Sequence, residues 1–272
     1  MRRGAETLLR DLVHERVGLI FDDSKINLFA DKLAPLVLER GFDTFLDYYY
    51  LLKYDLEAAA GEWQNVVNAL SVQETYFWRE IDQIHQLADV IIPSLAARNP
   101  NRPIRIWSAA CATGEEPLTI AMRLNENGWF EKAKIEIYAS DASTTALERA
   151  RTGIYRERSF RSLPAHLREK YFTAEGSKWR VAPFLQKKIK WKRANLLEFN
   201  ETKDLVGVSI IFCRNVFIYF SSDAVRRVVD FFAEKMCLPG FLFVGAAESL
   251  LKITDDFELE EIGNGFVYVK RR

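Results

Sequence analysis

The sequence predicts an α/β fold in which a small all-α domain precedes a doubly wound, mostly parallel sheet closed by an antiparallel C-terminal hairpin. Three observations predict it. Apolar residues recur at helical spacing from residue 5 to about 99. Beyond the turn Asn99-Pro100-Asn101-Arg102-Pro103, β-rich runs alternate with helical patterns. The last two β-like runs, within 257–270, meet at Gly263-Asn264-Gly265 with no room for a helix between them.

The first region is helical because Leu8, Leu9, Leu12 and Val13, then Leu33, Leu36 and Val37, then Phe45, Tyr48, Tyr49 and Leu52 fall at short helical intervals. Asp22 and Asp43 are placed as possible caps. Residues before proline avoid the helical region, so the pattern ends at the proline-rich turn and a domain boundary belongs in or just before it. The chain divides accordingly into a helical domain with its connector over 1–90 and a sheet domain over 91–272. Runs 104–110, 135–140, 189–194, 208–213 and 241–245 are expected as strands, separated by helices beginning near Glu115, Thr144 and Asp223.

A chain of 272 residues with 49% hydrophobic content can bury one large core and a smaller satellite. Net charge is zero with 28% charged residues, so no global field draws it to nucleic acid or an anionic membrane. Cys111, Cys213 and Cys237 are isolated from one another and from histidine, which points to plain thiols and no metal site. No segment approaches 18 apolar residues, so a cytosolic protein without membrane insertion is expected.

In open α/β sheets the ligand sits beyond the carboxyl ends of the strands, where strand order reverses. The first strand is followed by Ser108-Ala109-Ala110-Cys111-Ala112-Thr113-Gly114-Glu115-Glu116-Pro117. Ala110 and its small neighbours let backbone approach a ligand, and Pro117 suits a helix's first turn. With one glycine the turn fails GxGxxG, and Glu115 and Glu116 would repel a pyrophosphate. They suit a ligand with a cationic end, such as the amino and sulfonium groups of S-adenosylmethionine, or they merely complement the helix dipole. Asp141, ending the second strand, is placed to hold ribose hydroxyls or to cap the helix at Thr144, a task Ser143 can also fill. Asn195-Leu196 follows the third strand and Arg214-Asn215 the fourth; each Asn is a ligand contact or a turn residue.

Four blocks stand in order: 68–80 (NALSVQETYFWRE), 108–122 (SAACATGEEPLTIAM), 139–155 (ASDASTTALERARTGIY) and 212–220 (FCRNVFIYF). At this spacing, over nearly the whole chain, they resemble the chemotaxis receptor methyltransferases of the CheR type, whose connector carries T-x-F-F-R. The resemblance implies a Rossmann-like class I methyltransferase domain with a small antiparallel β-subdomain inserted at about 173–194. It implies S-adenosyl-L-methionine as cofactor and S-adenosyl-L-homocysteine as product. Gln73, Thr75, Arg79, Ala110, Glu116, Asp141, Asn195, Leu196, Arg214 and Asn215 would surround the cofactor, while Arg79 and Tyr219 act as catalytic residues facing a substrate carboxylate. The implied reaction is γ-esterification of glutamates on the cytoplasmic helical domain of a methyl-accepting chemoreceptor, by a monomeric cytoplasmic enzyme.

The chain departs from the family pattern at several places. Trp78 stands where a second Phe is usual and Gln73 where an Asn contact is common. The turn Ala174-Glu175-Gly176-Ser177 is shorter than the Gly-containing turn that goes with docking on a receptor's C-terminal pentapeptide, which implies pentapeptide independence. Over the first eighty residues 14 acids face 9 bases, whereas some members present a basic helix to receptors. A glutamate with pKa about 4.3 is already ionised near neutral pH, so methyl transfer to it needs alignment and desolvation and no general base. Two other functions compete. A nucleic-acid methyltransferase is suggested by Gln186-Lys187-Lys188-Ile189-Lys190-Trp191-Lys192-Arg193 with Trp179 nearby. Against it, the alternating lysines describe one solvated strand face, and no Pro-Pro-aromatic clamp for a flipped base follows the fourth strand. A non-enzymatic cofactor-binding adaptor is opposed by the suitable residue types at the matched positions.

Overall fold

The computed structural model describes residues 4–263 and 265–272; Asn264, at the expected hairpin turn, lies outside the described residues. Four helices open the chain, α1 (Ala5–Val17), α2 (Ile26–Glu39), α3 (Phe45–Tyr54) and α4 (Leu56–Leu70). Their inward stripes, including Leu9, Val13, Phe29, Leu33, Tyr48 and Val66, share one core. Capping differs from the sequence expectation. Thr44, not Asp43, caps α3, because Thr44 is the last extended residue and its hydroxyl accepts from Asp47 N. Asp22 precedes a single 3-10 turn (Asp23–Lys25) and makes no side-chain cap there.

Helices α5 (Ile81–Gln86) and α6 (Ile92–Arg98), joined by a π-helical turn (Leu87–Ile91), pack instead against the sheet, with Ile84, Leu87, Ile91 and Ile92 in its core. There follow β1 (Ile104–Ala109), α7 (Glu115–Glu126), α8 (Trp129–Lys132), β2 (Ile135–Asp141), α9 (Thr144–Thr152), β3 (Ile154–Arg156), α10 (Ala165–Tyr171), β4 (Phe172–Glu175) and β5 (Lys178–Val181). The chain continues through α11 (Pro183–Gln186), β6 (Ile189–Arg193), β7 (Val208–Phe212), α12 (Ser222–Lys235), β8 (Met236–Phe243), β9 (Glu258–Ile262) and β10 (Gly265–Lys270). The main sheet has the order β6-β2-β1-β7-β8-β10-β9. The first five strands of that order are parallel; β10 pairs antiparallel with both β8 and β9. Winding reverses between β1 and β7, which opens a crevice at their carboxyl ends. β7, with the sequence VSIIF, is buried on both faces, Ile210 and Phe212 in one core and Val208 and Ile211 in the other under α12.

Two elements differ from expectation. The small antiparallel sheet is β3-β5-β4, so it takes in Ile154–Arg156 and ends at Val181, while Ile189–Arg193 is the parallel edge strand of the main sheet. Ile189 is buried and Trp191 packs on the core, which gives that strand one inward face despite its lysines. β8 begins at Met236, earlier than the expected 241, because Pro239 lies in a register shift where no ladder N–H is needed. Among the described residues no helix is long and apolar enough to cross a membrane.

Candidate active site

One cavity lies over the carboxyl ends of β1, β2, β6 and β7. The connector 71–79, Val17 at the end of α1, Leu19 just beyond it, and Val67 of α4 form its roof. All the sequence-predicted site residues line it: Gln73, Thr75, Arg79, Ala110, Glu116, Asp141, Asn195, Leu196, Arg214, Asn215 and Tyr219. Their orientations, however, separate them into groups that do different things.

The turn after β1 is conformationally costly. Ala110 (φ 58) and Ala112 (φ 47) are left-handed, as are Trp78 (φ 70), Glu80 (φ 47) and Asn215 (φ 59) around the same cavity. Gly114 (φ 93) is required both by its conformation and by space, since a Cβ there would lie 2.8 Å from the Trp191 ring and 2.9 Å from Ala150. The two acids at the start of α7 diverge. Glu115 is buried, accepts from the Thr113 and Ser159 hydroxyls, and has its pKa raised by burial; it does not line the cavity. Glu116 does, accepting from Ser108 Oγ at 2.6 Å and Arg214 Nε at 2.8 Å. Of the two acids that the sequence offers to a cationic ligand, only Glu116 therefore lines the cavity.

Asp141 accepts from Ala112 N on one carboxylate oxygen and from Ser143 N on the other, both at 2.8 Å. Ser143 caps α9 through Ala146 N, which releases Asp141 from that task. Burial pushes the Asp141 carboxyl above the usual carboxylate range, outweighing its backbone hydrogen bonds.

Asn195 and Gln73 spend their side chains on the scaffold. Asn195 Oδ1 accepts from Leu197 N, the turn alternative foreseen for it, and Nδ2 donates to Arg16 O of α1 at 3.2 Å. Gln73 accepts from Arg149 Nη1 at 3.0 Å and lies near the Ser143 and Thr145 hydroxyls of the α9 start.

Arg214, with a side chain 2% exposed, is a clamp: besides Glu116 it donates to the carbonyls of Arg79 and Glu80 and to Gln83 Oε1. Among the described residues these take four of its five N–H groups. It thereby ties the connector to the sheet. Arg79 itself is freer. Its Nη1 donates to Glu74 O, its guanidinium lies 3.9 Å from the Glu80 carboxylate, and it sits 5.6 Å from the Tyr76 ring centre. The half-buried Tyr219 lines the cavity, and its hydroxyl has no hydrogen-bond partner among the described residues.

Three participants were not legible as such. Glu80 accepts from Asn215 Nδ2 and Ala246 N, Tyr76 lines the mouth with Arg161 stacked 3.7 Å from its ring centre, and Glu248 organises the loop after β7. Glu248 had a signal: it follows the end of β8 as the other site residues follow theirs, in Gly245-Ala246-Ala247-Glu248. The basic segment on β6 is neutralised by neighbours, Lys190 by Glu136, Lys192 by Asp204 and Arg193 by Glu201.

The chain matches two family descriptions in succession, "CheR methyltransferase, all-alpha domain" over residues 7–71 and "CheR methyltransferase, SAM binding domain" over 73–266. It is 34% identical to chemotaxis protein methyltransferase 2 of Vibrio cholerae, covering 96% of this chain and 91% of that one. It is 33% identical to chemotaxis protein methyltransferase 1 of the same organism, over 94% and 93% of the two chains. The chemotaxis protein methyltransferase of Borreliella burgdorferi is also 33% identical, over 88% and 86%. With both successive domains matched and these identities spanning nearly its whole length, the chain belongs to the CheR methyltransferase family and uses S-adenosylmethionine.

Proposed function

We propose that the protein transfers a methyl group from S-adenosylmethionine to glutamate carboxylates on the cytoplasmic helical domain of a methyl-accepting chemoreceptor, forming γ-methyl esters. The observation that carries this reading is the charge of the cavity. Glu116 and Asp141 face it from the strand ends, and the one guanidinium ion-paired within that floor, Arg214, is spent on Glu116 and the connector. Such a floor fits a cationic cofactor and would repel a phosphate. When bound, the cofactor supplies an electrophilic methyl group on a sulfonium.

The chain's own residues do the rest. Glu116, Asp141, Leu196 and Asn215 would hold the cofactor, with Ala110 and Thr75 bringing backbone and hydroxyl close. Across the cavity, Arg79 and the unpartnered Tyr219 hydroxyl would orient the incoming carboxylate, Tyr219 without quenching its charge. The glutamate arrives ionised, so no proton has to move. The connector over the site limits water, and charge neutralisation in the transition state is favoured there.

The relatives' names as chemotaxis protein methyltransferases support the receptor as substrate. The two residues between β4 and β5, Gly176 and Ser177, support a tether-free enzyme, because they offer no loop with which to pocket a receptor tail. The test is transfer of a tritiated methyl group to a recombinant chemoreceptor cytoplasmic fragment. Label should leave as volatile methanol at alkaline pH, and Glu-to-Ala changes in the fragment should abolish it. Label that survives base, or that goes to RNA in a parallel assay, overturns the ester. Micromolar binding of the receptor-tail pentapeptide overturns the tether-free reading.

A further inference from the structure

Glu248 has no cationic partner among the described residues; its carboxylate gathers backbone N–H groups instead. Oε2 accepts from Gly245 at 2.6 Å and Asn215 at 2.8 Å, and Oε1 from Val216 at 2.8 Å, Phe217 at 2.6 Å and Ile218 at 3.3 Å. Apart from Gly245, which follows β8, these donors are the loop after β7 and the start of the 3-10 turn Phe217–Tyr219, groups that so short a helix cannot satisfy from within. The approach is close enough to demand a glycine. A Cβ on Gly245 would lie 2.5 Å from Asn215 Nδ2 and 2.9 Å from Glu248 Oε2.

We propose that Glu248 is a positioning residue for Tyr219: by fixing the backbone of 215–218 it holds the phenol in the cavity. The proposal rests on the reading of Tyr219 as the group that orients the substrate. The coupling is short, since Glu248 binds Val216 N while Tyr219 N donates to Val216 O at 3.0 Å. At its far end the phenol makes no hydrogen bond among the described residues that could hold it independently. A second tie, from Ile20 N to Tyr219 O at 2.8 Å, restrains the backbone from the helical-domain side. Arg214 has anchors of its own in Glu116, Gln83 and the connector carbonyls, and the Asn215 side chain has one in Glu80, so on the cofactor side only the Asn215 backbone N–H depends on Glu248.

Glu248→Gln tests this, because one oxygen becomes an N–H donor that faces other donors. Turnover on a recombinant chemoreceptor cytoplasmic fragment should fall about 30-fold, while S-adenosylhomocysteine affinity by calorimetry stays within about 3-fold. Glu248→Asp, which keeps both oxygens, should recover part of the turnover. The double variant Glu248→Gln with Tyr219→Phe should be no slower than Tyr219→Phe alone, since both changes act through one hydroxyl. 3-Fluorotyrosine placed at position 219 should give one narrow fluorine resonance in the full chain and a broadened or divided one in Glu248→Gln. Multiplicative losses in the double variant, an unchanged fluorine spectrum, or a loss of cofactor affinity equal to the loss of turnover would each overturn the proposal. Full turnover in Tyr219→Phe removes the role of Tyr219 and this inference with it. An unaltered chain inactive on the fragment removes only the substrate reading, and the fluorine spectrum still decides the positioning.

Discussion

Glu62 in the helical domain and Asp141 at the end of β2 are both carboxylates taken out of water, and the chain holds them in opposite ways. Glu62, 1% exposed, accepts from the Tyr48 hydroxyl, the Arg40 guanidinium and Asn65 Nδ2. Burial pushes its pKa up, but those hydrogen bonds outweigh it and the net direction is down. Asp141 receives backbone N–H groups and no cation, so burial prevails and its pKa is raised. Glu62, neutralised where it stands and away from the cavity, serves the fold. A carboxylate left without a countercharge at a cavity wall is costly on its own account, and a ligand's hydroxyl donors would offset that cost.

The comparison is tested most severely from the substrate side, where the largest effect is expected. Arg79→Ala should lower turnover on the order of 10²-fold, the scale of a lost electrostatic positioning contact. It should leave thermal stability nearly unchanged, because among the described residues the guanidinium makes one hydrogen bond, to Glu74 O. Turnover and unfolding temperature measured on the same preparation check this, and a fully active variant returns Arg79 to the role of a surface charge.

Asp141→Asn should weaken S-adenosylhomocysteine and S-adenosylmethionine binding about 10-fold, with the methylated, cationic ligand losing more. Its pH dependence is more telling than its size. Because burial raises the pKa of Asp141, protons occupy it at higher pH than an ordinary carboxylate, and the protonated form is a poorer acceptor for a ligand's hydroxyls. Cofactor affinity of the unaltered chain should therefore drop with falling pH through that raised value, with protons released on binding in the same window. In Asp141→Asn the slope should vanish. Calorimetry in buffers of different ionisation enthalpy reads both.

Legibility followed the range of the interactions. The strand ends could be found because each follows an apolar run directly, and Ala110, Asp141, Asn195 and Arg214 all lie within one or two residues of a strand end. What such positions do was not legible. Asn195 and Gln73 turn to the scaffold because Arg16 and Arg149, distant in sequence, meet them there. Glu115 and Glu116 are adjacent, and partners brought up by the fold, Ser159 for one and Ser108 with Arg214 for the other, go with their different directions. Glu80 and Glu248 escaped for the same reason: their partners are loops that meet only in the folded chain. The fold itself was read well where period governed. It was read less well at Pro239, where a bulge made proline harmless, and at β3, whose three residues are too few to show a period.

The smallest effect on ligand binding is expected from the other half of the comparison. Glu62→Gln removes a charge that Arg40 and Tyr48 neutralise, and replaces one acceptor oxygen with a donor facing donors. Loss of such a satisfied buried group costs about 1–2 kcal/mol of stability, moderated here because the Arg40 side chain is 40% exposed and can turn to water. S-adenosylhomocysteine affinity should not change at temperatures where the variant is folded, since Glu62 does not line the cavity. The pH signature runs opposite to that of Asp141. With a folded pKa below its unfolded one, Glu62 contributes stability that is fully present above the unfolded value and disappears as pH falls through the lowered folded value. Acid unfolding of the unaltered chain should therefore steepen over that interval relative to Glu62→Gln, while the cofactor titrations of the two superimpose. A variant that unfolds with the same acid profile as the unaltered chain, or that binds cofactor as weakly as Asp141→Asn, would erase the distinction between a carboxylate held for the fold and one held for a ligand.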